Sequence, residues 1–157
     1  MRPLKAFFAA LLFILLEACA QDSPLPAPEP LPPVIVYKSP ACGCCLAWAD
    51  HMRSSGFTVE IHDVQDLSPI RAEAGVPAGL GSCHTAQVAG YFLEGHVPAD
   101  DVKRLLAEKP DARGLAVPGM PLGSPGMVQG EEQQPYEVVL VARDGSTSVF
   151  ASYSGSQ

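Results

Sequence analysis

The chain has 157 residues, the length of one ordinary domain, with 47% hydrophobic and only 17% charged residues. Ten Lys and Arg against seventeen Asp and Glu give a net charge of -7, which excludes general nucleic-acid binding by phosphate neutralisation and leaves no polybasic stretch for an anionic membrane surface. Five cysteines in so short a chain must be staples, ligands or redox centres.

Residues 1–5 carry Arg2 and Lys5, and residues 6–16 are an unbroken apolar run. That is the pattern of a secretory signal, too short to cross a bilayer as a helix. Ala18-Cys19-Ala20 has the small-x-small form of ordinary cleavage, whereas Leu16-Glu17-Ala18-Cys19 resembles a bacterial lipobox that would lipidate Cys19. Both readings put residues 1–20 outside the fold and the mature chain in the periplasm of a Gram-negative bacterium. A lipid on Cys19 is the one membrane attachment expected. Residues 21–33, QDSPLPAPEPLPP, read as a semi-rigid polyproline tether.

From Val34 the pattern is that of a folded domain. Residues 34–37 are a β-branched and aromatic run, hence a strand. Ser39-Pro40-Ala41-Cys42-Gly43-Cys44-Cys45 is a turn. Residues 46–54 then show helical spacing, stopped by Gly56. Residues 57–64 alternate as a second strand, and residues 67–74 predict a second helix with Ser68 as cap and Pro69 at its first position. Residues 83–88 and 91–93 predict a hairpin across Ala89-Gly90, and residues 98–109 a third helix. This order, with a right-handed parallel crossover between the first two strands, is that of an α/β thioredoxin-like domain over residues 34–110. Residues 111–157 form a C-terminal extension. Its stretch from Gly114 to Gly130 has no periodicity, and residues 136–142 and 147–153 predict a second hairpin about Asp144-Gly145.

Cys42 and Cys45 have the C-x-x-C spacing of a redox pair between strand and helix. A thiol at a helix N-terminus faces the positive end of the dipole, which favours the thiolate. Cys44 is a third thiol that dithiol exchange does not need. Three sulfurs in four residues suit a soft metal such as Cu(I), zinc or an iron–sulfur centre. Cys83, at the start of the third strand, can be a fourth sulfur. The competing reading is a structural disulfide in an oxidising compartment. Met120 and Met127, in GMPLGSPGM, are candidate thioether ligands to Cu(I), with core filling as the competing use of methionine.

Among the histidines, His84 adjoins Cys83 and is a candidate ligand, although neighbours on a strand point to opposite faces unless a bulge intervenes. His51 lies two helical turns after Cys44 and suits a role behind the ligands. His96 reads as a cap of the third helix, and His62 as a solvent-facing strand residue. Trp48, the single tryptophan, reads as a core residue that could also shield the cluster from water.

With KSPACGCCLAWADHM, GSCHTAQVAGYFLEGHVPADDVKRLLAEKP and GLAVPGMPLGSPGM in this order, the chain over roughly residues 34–153 resembles the CopG-type periplasmic copper proteins, long grouped as a domain of unknown function. The resemblance implies a thioredoxin-like domain whose C-terminal extension completes the metal site. It also implies a cysteine-bridged multinuclear copper centre and a role in copper resistance through Cu(I)/Cu(II) interconversion. It places Cys42, Cys44, Cys45 and Cys83 at the cluster, and Met120 and Met127 in the extension as contributors. Copper is then the expected metal, several ions per chain, with a copper efflux system as a partner. A thiol–disulfide oxidoreductase using Cys42 and Cys45, a non-catalytic copper chaperone and a structural zinc site are the alternatives.

Overall fold

The computed structural model describes residues 29–155. The segment read as a secretory signal, Cys19 and most of the segment read as a Pro-rich tether lie outside the described residues. These form a mixed α/β fold with one seven-stranded sheet and three helices. The elements are β1 (Val34–Lys38), α1 (Gly43–Ser54), β2 (Val59–Asp63), α2 (Ser68–Ala74), β3 (His84–Val88), β4 (Tyr91–Glu94), α3 (Ala99–Glu108), β5 (Ala112–Ala116), β6 (Tyr136–Ala142) and β7 (Thr147–Tyr153). No helix among the described residues is long and apolar enough to cross a membrane.

The sheet order is β2-β1-β3-β4-β5-β6-β7. β1 and β2 are parallel, β3 is antiparallel to β1, and β4 and β5 are parallel to each other. The C-terminal ends of β1, β4 and β5 and the N-terminal end of β3 therefore meet at one end of the sheet. The β3–β4 turn places Ala89 at φ 46 and Gly90 at φ 85, the two positive angles of a type I′ hairpin turn. The second hairpin, β6–β7, extends the same sheet beyond β5.

The main core lies on the face covered by α1 and α3. Trp48 and Met52 pack there with Val102, Leu105, Val36, Ala86, Leu93 and Leu115. Alternation sends Phe92, Ala116 and Val141 to the opposite face, under Ala74, Val76 and Leu80. Truncating a fully buried aromatic such as Trp48 to Ala costs about 3–5 kcal/mol.

Three local expectations are corrected. Strand β5 falls partly in the stretch read as aperiodic. Its sequence, ARGLA, is a poor strand former, but β4 and β6 pair with it on both sides, and this tertiary context overrides propensity. Helix α1 begins at Gly43 rather than Leu46, so the turn holding Cys44 and Cys45 is its first turn. Leu67, not Ser68, holds the cap position of α2, and Asp66 Oδ1 accepts the Ser68 N–H at 2.9 Å.

Candidate metal centre

Helix α1 carries three of the sulfurs because its N-terminus is built from the C-G-C-C turn. Cys42 is its cap residue, its N–H donating to Ser39 O at 3.0 Å, and no side chain caps the helix. The sulfurs thus sit at the positive end of the helix dipole. Cys42 and Cys45 are joined by a disulfide, with Cα atoms 5.4 Å apart. Cys44 and Cys83 are free and half-buried. Cys44 Sγ lies 3.5 Å from Cys42 Sγ and 3.8 Å from Cys83 Sγ. All four sulfurs lie within 4.8 Å of one another. The fold therefore brings together the four cysteines selected from sequence. Two of them become thiolate donors only when the disulfide is reduced.

Cys83 lies in the bend before β3, not in the strand. Strand alternation therefore does not separate it from His84, which corrects the expectation that His84 faces away. His84 is fully buried, with Nδ1 3.4 Å from Cys83 Sγ. Its Nε2 is buried and has no hydrogen-bond partner among the described residues. Burial pushes the His84 pKa down to about 3, with nearby His96 and Arg71 adding to the effect, so the ring is neutral at neutral pH. Trp48 packs against it, ring centroids 4.4 Å apart, and donates its Nε1–H to Val97 O at 2.9 Å. The tryptophan forms a dry wall behind His84.

His96 is the residue that sequence reasoning misplaced. It does not cap α3. It is fully buried, with Nε2 2.9 Å from Cys83 Sγ and Nδ1 2.7 Å from Pro125 O. A carbonyl only accepts, so Nδ1 carries the proton and Nε2 presents its lone pair to the sulfur side. Metal-ligating histidines are held in this way, through their other nitrogen. Burial lowers the His96 pKa, which the Pro125 carbonyl partly opposes. The signal was in the sequence: the two-residue turn pairs Val88 with Tyr91 and Thr85 with Glu94, and the same register carried outward sets Cys83 opposite His96.

The N–H of Ala99 at the start of α3 is met instead by His51 Nε2, at 3.0 Å. Two groups of close donors result, Cys42, Cys44, Cys45 and Cys83, and Cys83, His84 and His96; His51, placed at a helix end, belongs to neither donor group among the described residues. Burial lowers its pKa, with Asp100 opposing. His62 is exposed as expected, paired with Glu60 and stacked on Tyr37.

The segment after β5 packs on the first turn of α1 and on His96. Gly126, at φ 85, sits so tightly on α1 that a Cβ there would lie 2.7 Å from Trp48 N and 2.8 Å from Cys44 O. Met127 is half-buried just beyond, and Met120 is 53% exposed. Burial, with the electrostatic effect of the neighbouring Cys44 next in weight, pushes the Cys83 thiol up to about 12, so ligation there must displace a proton. Sulfur with imidazole is a soft to borderline donor set suited to copper or zinc, and Nδ1 is the His84 nitrogen that lies against Cys83 Sγ.

The family described as "Protein of unknown function, DUF411" matches residues 80–127. No curated protein matches. Two solved structures are similar at 47% identity. "Copper resistance protein copG- Form 2" has a TM-score of 0.76 and covers 80% of this chain and 99% of its own. "Copper resistance protein copG- Form 1" has a TM-score of 0.77 and covers 81% of this chain and 100% of its own. With this identity over almost the full length of those structures, the chain belongs to the CopG family of copper-resistance proteins.

Proposed function

We propose that the protein is a periplasmic copper-binding protein whose cysteine-rich centre takes several copper ions and interconverts Cu(I) and Cu(II) in copper resistance. The observation that carries this reading is the half-buried Cys44 and Cys83 pair, next to two further sulfurs and two buried neutral imidazoles. Thiolate holds Cu(I), and imidazole eases access to Cu(II). Cys42, Cys44, Cys45, Cys83 and His84 are the ligands proposed from sequence, to which the geometry adds His96. Met120 and Met127, on the segment after β5, are the proposed thioether arm. Closing one disulfide from two thiols releases two electrons and two protons, which balances the reduction of two Cu(II) to Cu(I).

The β2-β1-β3-β4 order with its flanking helices supports a thioredoxin-like unit over residues 34–110, completed by the extension 111–157. Residues 1–20 are proposed as the export signal, with Cys19 as the lipid anchor if it is processed as a lipoprotein, and residues 21–33 as the tether. A copper efflux system is the proposed partner.

The test is copper quantification with absorption spectra on reduced protein loaded with Cu(I). Several coppers per chain and thiolate-to-copper charge-transfer bands are expected. Cys83→Ser lowers the stoichiometry, and Met120→Ala/Met127→Ala weakens retention. A wild-type protein that stays metal-free contradicts the reading. The Cys42–Cys45 disulfide favours a second reading, a thiol–disulfide oxidoreductase. Reduction of insulin disulfides that Cys42→Ser abolishes and Cys83→Ser leaves intact would select it.

A further inference from the structure

Cys83 lies in a bend between α2 and β3, outside regular structure, yet its sulfur must meet the sulfurs of α1. An ion pair next to it, between half-buried Arg71 and buried Glu94, supplies the constraint. Glu94, at the end of β4, is fully buried. Its Oε1 accepts from Arg71 Nε at 2.8 Å and from the Ser82 N–H at 2.6 Å, and its Oε2 accepts from Thr85 Oγ1 at 2.6 Å. Both carboxylate oxygens are thus taken within the fold, and Glu94 belongs to neither donor group among the described residues. Arg71, on α2, also donates through Nη2 to Ser82 O. The residue just before Cys83 is therefore gripped at its N–H by the carboxylate and at its carbonyl by the guanidinium. Its hydroxyl donates to Gly119 O, beside Met120.

We infer that Arg71 and Glu94 are positioning residues of the metal centre: they clamp Ser82 so that Cys83 Sγ faces Cys44 and His96, and through the Ser82 hydroxyl they fix the start of the Met-bearing segment in the same frame. An ion pair with one partner fully buried is weak evidence for stability, because desolvation offsets its attraction. Its specific geometry at this bend is better accounted for by orientation. Arginine suits the task because its planar fork addresses the carboxylate and the carbonyl together, whereas the point charge of lysine cannot. Groups that orient metal ligands are worth about 10–100-fold in metal affinity.

The inference rests on the copper reading, and the test separates the two. Wild-type, Arg71→Lys and Glu94→Gln proteins are loaded with Cu(I) by competition with a chelator. Spectra, stoichiometry and the thermal midpoint of the metal-free form are recorded. Both variants should fold and bind Cu(I) about 10–100-fold more weakly, with charge-transfer bands displaced toward those of Cys83→Ser. In the metal-free, disulfide-bonded proteins, mass spectrometry should show faster iodoacetamide labelling of Cys83 in both variants than in the wild type. A wild type that binds no copper fails the functional reading alone, and the labelling rates then decide the clamp. Wild-type affinity, bands and labelling in either folded variant would overturn the clamp. Unfolding of both would overturn it too, because the pair would then be simply structural.

Discussion

Burial fixes the protonation of the histidines around Cys83. His84, His96 and His51 all have pKa values lowered chiefly by loss of solvent. Below the ordinary value of 6.5 the unfolded chain binds protons that the native state refuses, so stability falls as pH drops from there toward about 3. Each fully differential histidine contributes up to about 1.4 kcal/mol per pH unit in that window. Asp66 and Asp144, held below 3.8 by hydrogen bonds from Ser68 and Ser146, act at lower pH. The thermal midpoint of the metal-free protein is therefore predicted to fall steadily between about pH 6.5 and 4.5, and His84→Gln to reduce the slope. A flat profile in the wild type would contradict the neutral buried rings. At this scale the four cysteines were legible because their spacing is local. His96 was not, because its role depends on extending a hairpin register that its own neighbours do not reveal.

At the scale of elements, the site depends on how tightly the segment after β5 lies on the first turn of α1. Gly126 is the contact point, with positive φ and no room for a Cβ against Trp48 N and Cys44 O. Gly126→Ala must lift the segment or tilt the helix start. It is predicted to lower the thermal midpoint and to weaken copper retention together, while Gly130→Ala, where a Cβ meets nothing within 4 Å, keeps copper retention. Equal copper retention in Gly126→Ala and wild type would show that the segment does not shape the site. The hairpins, α1 and α3 were readable from periodicity and turn residues. β5 was not, because Ala112, Arg113 and Gly114 become a strand only between β4 and β6. Helix caps were misread for a similar reason: the α3 N-terminus takes its acceptor from His51, 48 positions earlier.

For the whole molecule, sheet topology does the assembling. One end of the sheet gathers the turn after β1, the bend before β3, His96 after β4 and the segment after β5. Residues far apart in sequence become two donor groups joined at Cys83, one of four sulfurs and one of sulfur and two imidazoles, while acidic side chains such as Asp50, Glu60 and Asp100 lie exposed on the outer surface. Apart from β5, the strand and helix order was readable from the chain, as was the concentration of sulfur. Of the imidazole half of the donor set, His84 was proposed from its place beside Cys83, and His96 emerged only from the closed fold. The most direct measurement is copper K-edge X-ray absorption on the reduced, Cu(I)-loaded protein, beside Cys83→Ser and His96→Ala. The account predicts sulfur scatterers with a nitrogen contribution, the sulfur diminished by Cys83→Ser and the nitrogen by His96→Ala. A copper environment of oxygen and nitrogen alone, unchanged by either substitution, would contradict it.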